Sequence, residues 1–281
     1  MLKNTVQNFE HLKNMTIPEM FSHSTEVFAD SFAMTYYQDE SWKKLTYQNL
    51  KNKVFDLAKG LLKLGIQKGQ KIGILSENRV EWGLAYLAIL QAGGVVVPLD
   101  SLLKPGELAK IVSESETQIV FVSSKHLPKL KENINHINIF KTIILLDKIE
   151  NIDKEVKLAD LIDQGEKSSG SFPTVSNNDV AVIIYTSGTT GSCKGVMLTH
   201  KNIMSDVWGT KKVLALYPED IFLSVLPLNH VFEATCGFLI PLSGGSQIVY
   251  ARSLKSKELM EDIKNNQISI MLGVPLLYEN M

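Results

Sequence analysis

Residues 180–200 read VAVIIYTSGTTGSCKGVMLTH, which joins a continuous apolar run to a loop of glycine and hydroxyl residues. A run without polar alternation is typical of a strand that is covered on both faces. Consecutive backbone N–H groups in the glycine-rich turn converge on one point, which suits phosphate oxygens. Hydroxyl groups and the ammonium of Lys194 can add donors and positive charge. The stretch therefore predicts a buried strand that presents a polyphosphate-binding loop.

This loop differs from the P-loop of mononucleotide-binding proteins, which reads G-x-x-x-x-G-K followed by Ser or Thr. Counting from Gly188, Cys193 stands before the lysine, and Gly195 follows it. The Ser or Thr of a P-loop begins a helix and holds Mg²⁺, whereas residues 195–198, GVML, predict a short strand. A P-loop kinase or GTPase is therefore weakly supported. A surface loop rich in hydroxyls for solubility is the simpler alternative, but the order of strand, glycines, threonines and lysine argues against it.

Apolar runs and helical patterns alternate outward from the loop along most of the chain. KIGIL at 71–75, VVVPL at 95–99 and QIVFVSS at 118–124 predict buried strands, with amphipathic helices between such runs. Repetition of strand and helix on this scale predicts an α/β fold, with mostly parallel sheets and helices on both faces.

One apolar stretch, residues 82–99, is long enough to be compared with a membrane span. Gln91, a Gly-Gly pair and Pro98 interrupt it. We predict a buried helix, a tight turn and a buried strand here instead.

The polar, serine-rich stretch 166–179 is the best candidate for a linker. We therefore predict an N-terminal segment at 1–44, a first αβ subdomain at 45–172 and a second at 173–281. The second would carry the phosphate loop and would be incomplete.

Composition excludes several classes of protein. The 281 residues carry a formal net charge of −1, so nucleic acid is not expected as a partner. Two cysteines in no metal-ligand spacing fit a reducing compartment. The N-terminus lacks the apolar core of a secretory signal, so we expect a cytoplasmic protein.

Four motifs together resemble those of the adenylate-forming, or AMP-binding, superfamily, which comprises acyl-CoA synthetases, adenylation domains and luciferases. YTSGTTGSCKGVMLTH at 185–200 is similar to its phosphate-loop signature, and LQAGGVVVPLD at 90–100 to an upstream structural motif. LPLNHVFE at 226–233 is similar to the motif that lines the acyl site, and GVPLLYENM at 273–281 to the start of a following helix. The resemblance runs from about Leu45 to the last residue. HVFE is most like the long-chain fatty acyl-CoA synthetases.

The resemblance implies a two-step ligase that uses ATP, Mg²⁺ and coenzyme A. A carboxylic acid, most simply a fatty acid, would attack the α-phosphate of ATP, and coenzyme A would then displace AMP. Two alternatives stay open: another adenylating ligase acting on an aryl or amino acid, and a non-catalytic fragment. Contact with a membrane surface and formation of a homo-oligomer also stay open.

The resemblance further assigns site residues. Lys194 and His230 are expected to be catalytic, and Thr186 is expected to be a Mg²⁺ ligand as well. The polyphosphate would be contacted by Thr186, Ser187, Gly188, Thr189, Thr190, Gly191 and Lys194. The acid would be bound by His230, Val231, Phe232 and Glu233.

His230, Glu233 and Cys193, the neighbour of Lys194, each need a separate comment. A lone histidine is usually structural, but His230 follows a predicted buried strand, where ligands gather in open α/β sheets. Glu233 does not settle the substrate, since amino-acid-activating domains place an aspartate after the phenylalanine of this motif. Cys193 replaces a proline that is common in the family, and we interpret it as an inert thiol in a slightly looser loop.

The chain ends at VPLLYENM. The family motif that supplies a second Mg²⁺ ligand, the ribose-binding aspartate and the C-terminal domain with its catalytic lysine do not occur in it. We therefore expect an N-terminal fragment that is inactive by itself.

Overall fold

A computed structural model of the protein describes residues 10–134, 140–147, 155–187 and 193–279. Within these ranges the chain forms two sheets. The strands are β1 (Phe32–Gln38), β2 (Ser41–Thr46), β3 (Lys71–Leu75), β4 (Val95–Pro98), β5 (Ile119–Val122), β6 (Thr142–Leu145), β7 (Val156–Lys157), β8 (Val180–Ser187), β9 (Cys193–Thr199), β10 (Ile221–Ser224), β11 (Gln247–Tyr250) and β12 (Ile270–Met271).

Helices connect most of these strands. They are α1 (Ile17–Val27), α2 (Tyr47–Lys63), α3 (Val80–Gln91), α4 (Pro105–Ser115), α5 (Leu127–Ile134), α6 (Leu158–Glu166), α7 (His200–Val213), α8 (Ile240–Gly244), α9 (Ser256–Asn265) and α10 (Pro275–Glu279). A 3₁₀ turn spans Glu10–Asn14, and a π-helix spans Glu233–Leu239.

The larger sheet has the strand order β7-β6-β5-β3-β4-β8-β9, and the smaller sheet has the order β12-β10-β11-β1-β2. Among the described residues every pairing is parallel except those within the hairpins β1–β2 and β8–β9. The prediction of an α/β fold with mostly parallel sheets and flanking helices is confirmed. In each sheet the parallel strands therefore end at one shared edge, where ligands of open α/β sheets bind.

Local sequence explains why the helices begin and end where they do. Thr16 and Glu19 form a capping box at the start of α1, and the side chain of Thr46 caps the start of α2. The apolar stripe of α2 is buried at Leu50, Val54, Leu57, Ala58 and Leu61.

The apolar stretch 82–99 forms a helix, a turn and a strand, as predicted. Helix α3 ends at Gln91, the chain turns at Gly93 with a φ of 76°, and β4 begins at Val95. Glycine suits this turn because side chains disfavour positive φ. Across the described ranges, no helix is long and apolar enough to cross a membrane.

The two sheets do not divide at residue 172. Strands β8 and β9 belong to the predicted second subdomain, yet they extend the larger sheet, since Val182 of β8 pairs with Val96 of β4. Strand β1 belongs to the predicted N-terminal segment, yet it joins the smaller sheet by pairing with β11. The chain therefore passes from one sheet to the other and back.

The β1–β2 hairpin was not predicted. Its turn residues, Asp39 and Glu40, both have positive φ, at 48° and 57°. Two-residue hairpin loops need this conformation and usually use asparagine or glycine. Because this turn has neither, the usual sequence signal for a hairpin is missing.

Aromatic packing joins α3 of the larger sheet to the π-helix that follows β10. The rings of Trp82 and Tyr86 stack with centroids 5.2 Å apart. Both meet the ring of Phe238 edge-on, at 6.0 and 5.8 Å. Aromatic pairs at these separations and tilts are favourable. The cluster holds the two sheets together beneath the site described next.

Candidate active site

The glycine-rich stretch lies between two antiparallel strands of the larger sheet. Strand register places Lys194 of β9 directly opposite Thr186 of β8, next to the pair of Tyr185 and Gly195. Thr186 and Lys194 are both exposed. The predicted phosphate ligands Gly188, Thr189, Thr190 and Gly191 lie outside the described residues, and Ser187 is described only in its backbone. The hairpin thus carries a hydroxyl and an ammonium, side by side, on its two strands.

Gly195 lets this hairpin close tightly behind the lysine. A β-carbon at this position would lie 3.0 Å from Cζ of Tyr185 and 3.1 Å from Cγ2 of Ile183. Those distances are shorter than ordinary carbon contacts. The predicted short strand after the lysine is confirmed as β9, so the segment is not the helix of a P-loop.

His230 follows the carboxyl end of β10 in the smaller sheet, as predicted. Its backbone N–H donates to the carbonyl of Pro227 at 3.1 Å, and its carbonyl accepts from the N–H of Ala234 at 3.0 Å. The imidazole is exposed. The turn therefore presents His230 to solvent at the start of the next helix.

Val231 and Phe232 are also exposed, and they line an apolar groove of about 650 Å³. Val213 and Leu214 at the end of α7 form the facing wall, and half-buried Cys236 contributes to it. Volumes of this size are typical of small-molecule sites. The groove can therefore take the apolar part of a ligand, and His230 directly precedes its lining residue Val231 in the chain.

Glu233 is placed differently from the three residues before it. Only 1% of its surface is exposed, and its Oε1 accepts a hydrogen bond from the hydroxyl of Ser224 at 2.8 Å. Its Oε2 is buried without a partner in the described structure. Burial raises the pKa of this carboxyl to about 7, and the bond from Ser224 only partly opposes the shift.

The π-helix makes room for this buried carboxyl. A β-carbon on Gly237, four residues later, would lie 2.5 Å from Cδ of Glu233. Any other residue at Gly237 would therefore displace the glutamate. Single-turn π-helices often occur at functional sites, and this one directs Glu233 inward while leaving Phe232 outside.

Two residues that the sequence interpretation missed complete this region. Nδ2 of Asn78, in the loop after β3, donates to the hydroxyl of Ser224 at 3.0 Å and to the carbonyl of Leu226 at 2.6 Å. The N–H of Leu228 donates to Oδ1 of Asn78 at 2.9 Å. A polar residue just past a buried strand was the available signal for Asn78. Ser224 had no such signal, because its partner Asn78 lies 146 residues away in the sequence.

Comparison with known protein families shows to which family the chain belongs. The model of the AMP-binding enzyme family matches residues 21–281. The chain belongs to the AMP-binding enzyme family. The predicted resemblance is thereby confirmed.

Relatives within this family include ligases of fatty acids. Ligase AEE15 of Arabidopsis thaliana, which joins long-chain fatty acids to acyl-carrier protein, is 29% identical over 94% of this chain and 38% of its own length. Fatty acyl-CoA synthetase A of Dictyostelium discoideum is 31% identical over 85% of this chain and 37% of its own. The chain thus spans less than half the length of these relatives.

A solved structure shares the fold. The anthranilate CoA ligase AuaEII, in complex with anthranoyl-AMP, superposes with a TM-score of 0.85 and 20% sequence identity. The match covers 94% of this chain and 51% of that one. This likeness shows that the chain shares the fold of about half of that protein.

Proposed function

We propose that the protein activates a fatty acid with ATP and transfers the acyl group to coenzyme A. The observation that carries this proposal is the hairpin that sets Lys194 opposite Thr186 beside a glycine-rich turn, in a chain of the AMP-binding enzyme family. The names of its relatives support a fatty acid as the substrate.

The proposed chemistry has two steps. An oxygen of the carboxylate attacks the α-phosphorus of ATP, and the bond to pyrophosphate breaks. The sulfur of coenzyme A then attacks the acyl carbonyl, AMP leaves, and the thiol proton passes to solvent. Negative charge develops on the departing pyrophosphate in the first step, so a donor held ready near it lowers the barrier.

Lys194 and Thr186 can supply such donors. The ammonium of Lys194 lies on an exposed strand, where a charged hydrogen bond to phosphate contributes about 1.5–3 kcal/mol. Thr186 offers one hydroxyl oxygen to Mg²⁺, and the described ranges contain no cluster of three or more His, Cys, Asp or Glu suited to a metal. A Mg²⁺ ion shared by Thr186 and phosphate oxygens would neutralise part of their charge.

The acid is proposed to lie across His230 with its chain in the apolar groove. The carbon surfaces of Val231, Phe232, Val213 and Leu214 suit a hydrocarbon tail better than an amino acid side chain. An aryl acid is the second candidate, because the fold is shared with a ligase of anthranilate. We further propose that the reaction takes place in the cytoplasm, on the basis of the cysteine content.

Exchange of radioactive pyrophosphate into ATP, measured on the protein as the cell makes it, tests the proposal. A panel of fatty acids, anthranilate and amino acids would be compared at equal concentration. We expect exchange that depends on fatty acid and rises with chain length. Exchange with anthranilate alone would favour the aryl acid ligase. If no acid supports exchange, the proposed activity is wrong and a non-catalytic module is the remaining interpretation.

A further inference from the structure

Asn78 lies where the carboxyl ends of the two sheets meet. It follows β3 of the larger sheet, whereas Ser224, Leu226 and Leu228 follow or end β10 of the smaller sheet. The amide group uses both of its ends, since Nδ2 donates and Oδ1 accepts. One side chain therefore ties the bend at residues 224–233 to the loop after β3, about 150 residues earlier in the chain.

The bonds of Asn78 fall on the backbone of the bend itself. They engage the carbonyl of Leu226 and the N–H of Leu228, on either side of Pro227. The next backbone bond, from His230 N–H to the carbonyl of Pro227, starts within this clamped segment. The backbone from which the imidazole projects is thus held through Asn78.

A second connection runs through Ser224 to the far side of His230. Nδ2 of Asn78 donates to the hydroxyl of Ser224, which donates in turn to the buried carboxyl of Glu233. Ser224 is 2% exposed, so these bonds are shielded from water. His230 therefore lies between two anchors, the Leu226–Leu228 backbone and Glu233, and both depend on Asn78.

We propose that Asn78 is a positioning residue that holds His230 and the adjoining acid-binding groove in place, acting through the 226–228 backbone and through Ser224 and Glu233. This inference rests on the proposed function, because it assigns the effect to the site of the acid. Small displacements of groups that orient a substrate reduce rates substantially. Asn78 should therefore affect use of the acid far more than use of ATP.

The test compares Asn78→Ala with Asn177→Ala in the protein as the cell makes it. Asn177 is a matched control, since it is also half-buried and its Nδ2 donates to a backbone carbonyl, that of Asn14, at 2.7 Å. We expect Asn78→Ala to raise the KM for fatty acid about tenfold and to change the KM for ATP less than about twofold. Asn177→Ala should change neither. If Asn78→Ala does not fold, the near-isosteric Asn78→Asp takes its place, which keeps the acceptor for Leu228 N–H and replaces the donating amide with a carboxylate.

Hydrogen–deuterium exchange supplies a readout that needs no turnover. In Asn78→Ala the amides of residues 226–232 should exchange faster, because Leu228 N–H loses its acceptor, whereas Asn177→Ala should leave them unchanged. If the wild type shows no acid-dependent activity but the amides exchange faster in Asn78→Ala, the proposed function is overturned, whereas the structural role of Asn78 in holding residues 226–228 is retained. An active wild type with unchanged exchange in Asn78→Ala, or with equal rises in both KM values, would overturn the positioning role.

Discussion

The β8–β9 hairpin and the bend at residues 224–233 both project from sheet edges, but they are held in different ways. Thr186 and Lys194 in the hairpin are exposed, and the register of two neighbouring strands alone sets them opposite each other. Glu233 in the bend is buried, and the bend is tied to Asn78 on the other sheet. The hairpin therefore offers its polar groups directly to solvent, whereas the bend is held by buried contacts between the two sheets.

This difference has an energetic consequence. An exposed lysine contributes little to folding, because water already solvates it. A buried carboxyl with one unpartnered oxygen costs folding free energy, which the surrounding packing has to offset. Substitution of the exposed Lys194 should therefore affect chemistry alone, and substitutions in the bend should affect stability as well.

The largest effect is expected from Lys194→Ala. Loss of one charge that stabilises the departing pyrophosphate should slow adenylation by roughly 10²–10³. The melting temperature should stay within about 1 °C of wild type, because Lys194 is exposed. Pyrophosphate exchange and thermal denaturation measure the two quantities. Lys201→Ala, an exposed lysine at the start of α7, is the control and should leave both unchanged. Exchange at the wild-type rate in Lys194→Ala would remove the lysine from the proposed chemistry.

A smaller effect, on stability, is expected from Glu233→Gln. Folding raises the pKa of Glu233 from its ordinary value near 4.5 to about 7, so the folded state binds more protons between these values. The contribution of protonated Glu233 to the free energy of unfolding is fully present below about pH 4.5 and is lost as pH rises through 7. The loss amounts to roughly 3 kcal/mol at full ionisation. Glutamine does not titrate. The free energy of unfolding of Glu233→Gln, relative to that of wild type, should therefore rise by that order between pH 5 and pH 8.

Urea denaturation of both proteins at the two pH values measures this change. The comparison within each pH cancels the other titrating groups, which the variants share. A constant difference in stability between the two proteins would mean that Glu233 is ionised in the folded state throughout, and that the bend contains an unrecognised cation or water.

The smallest of the three effects is expected from His230→Ala, which joins the two regions. His230 belongs to the bend, and its imidazole is exposed. We propose that this imidazole meets the acid, which is activated by ATP bound at the hairpin. We expect the KM for fatty acid to rise about tenfold, with a smaller change for ATP. His23→Ala, on α1, serves as the control. An effect limited to the KM for ATP would assign His230 to the nucleotide instead.

The sequence predicted the hairpin better than the bend, for a physical reason. Glycines, hydroxyls and Lys194 lie within a few residues of one another, so a local pattern contains the whole loop. The bend depends on Ser224 and Glu233 and on Asn78, which meets Ser224 only after two sheets have formed. Periodicity along the chain carries no information on such distant partners.

The same distinction applies to the fold. Buried parallel strands such as β4 and β5 follow from continuous apolar runs, and α2 follows from its apolar stripe. The passage of the chain between sheets was not predicted, because the pairing of β1 with β11 joins segments about 200 residues apart. The serine-rich stretch 166–179 resembles a linker in composition, yet the strand after it continues the sheet before it.

The transfer of an oxygen atom tests the central claim most directly. Fatty acid labelled with ¹⁸O in its carboxylate would be supplied with ATP and coenzyme A to the protein as the cell makes it. If the carboxylate attacks the α-phosphorus, the AMP released by the thiol keeps one labelled oxygen, and mass spectrometry should find one ¹⁸O per AMP. Label in inorganic phosphate, or unlabelled AMP formed together with the thioester, would contradict the acyl adenylate and with it the role given to the hairpin.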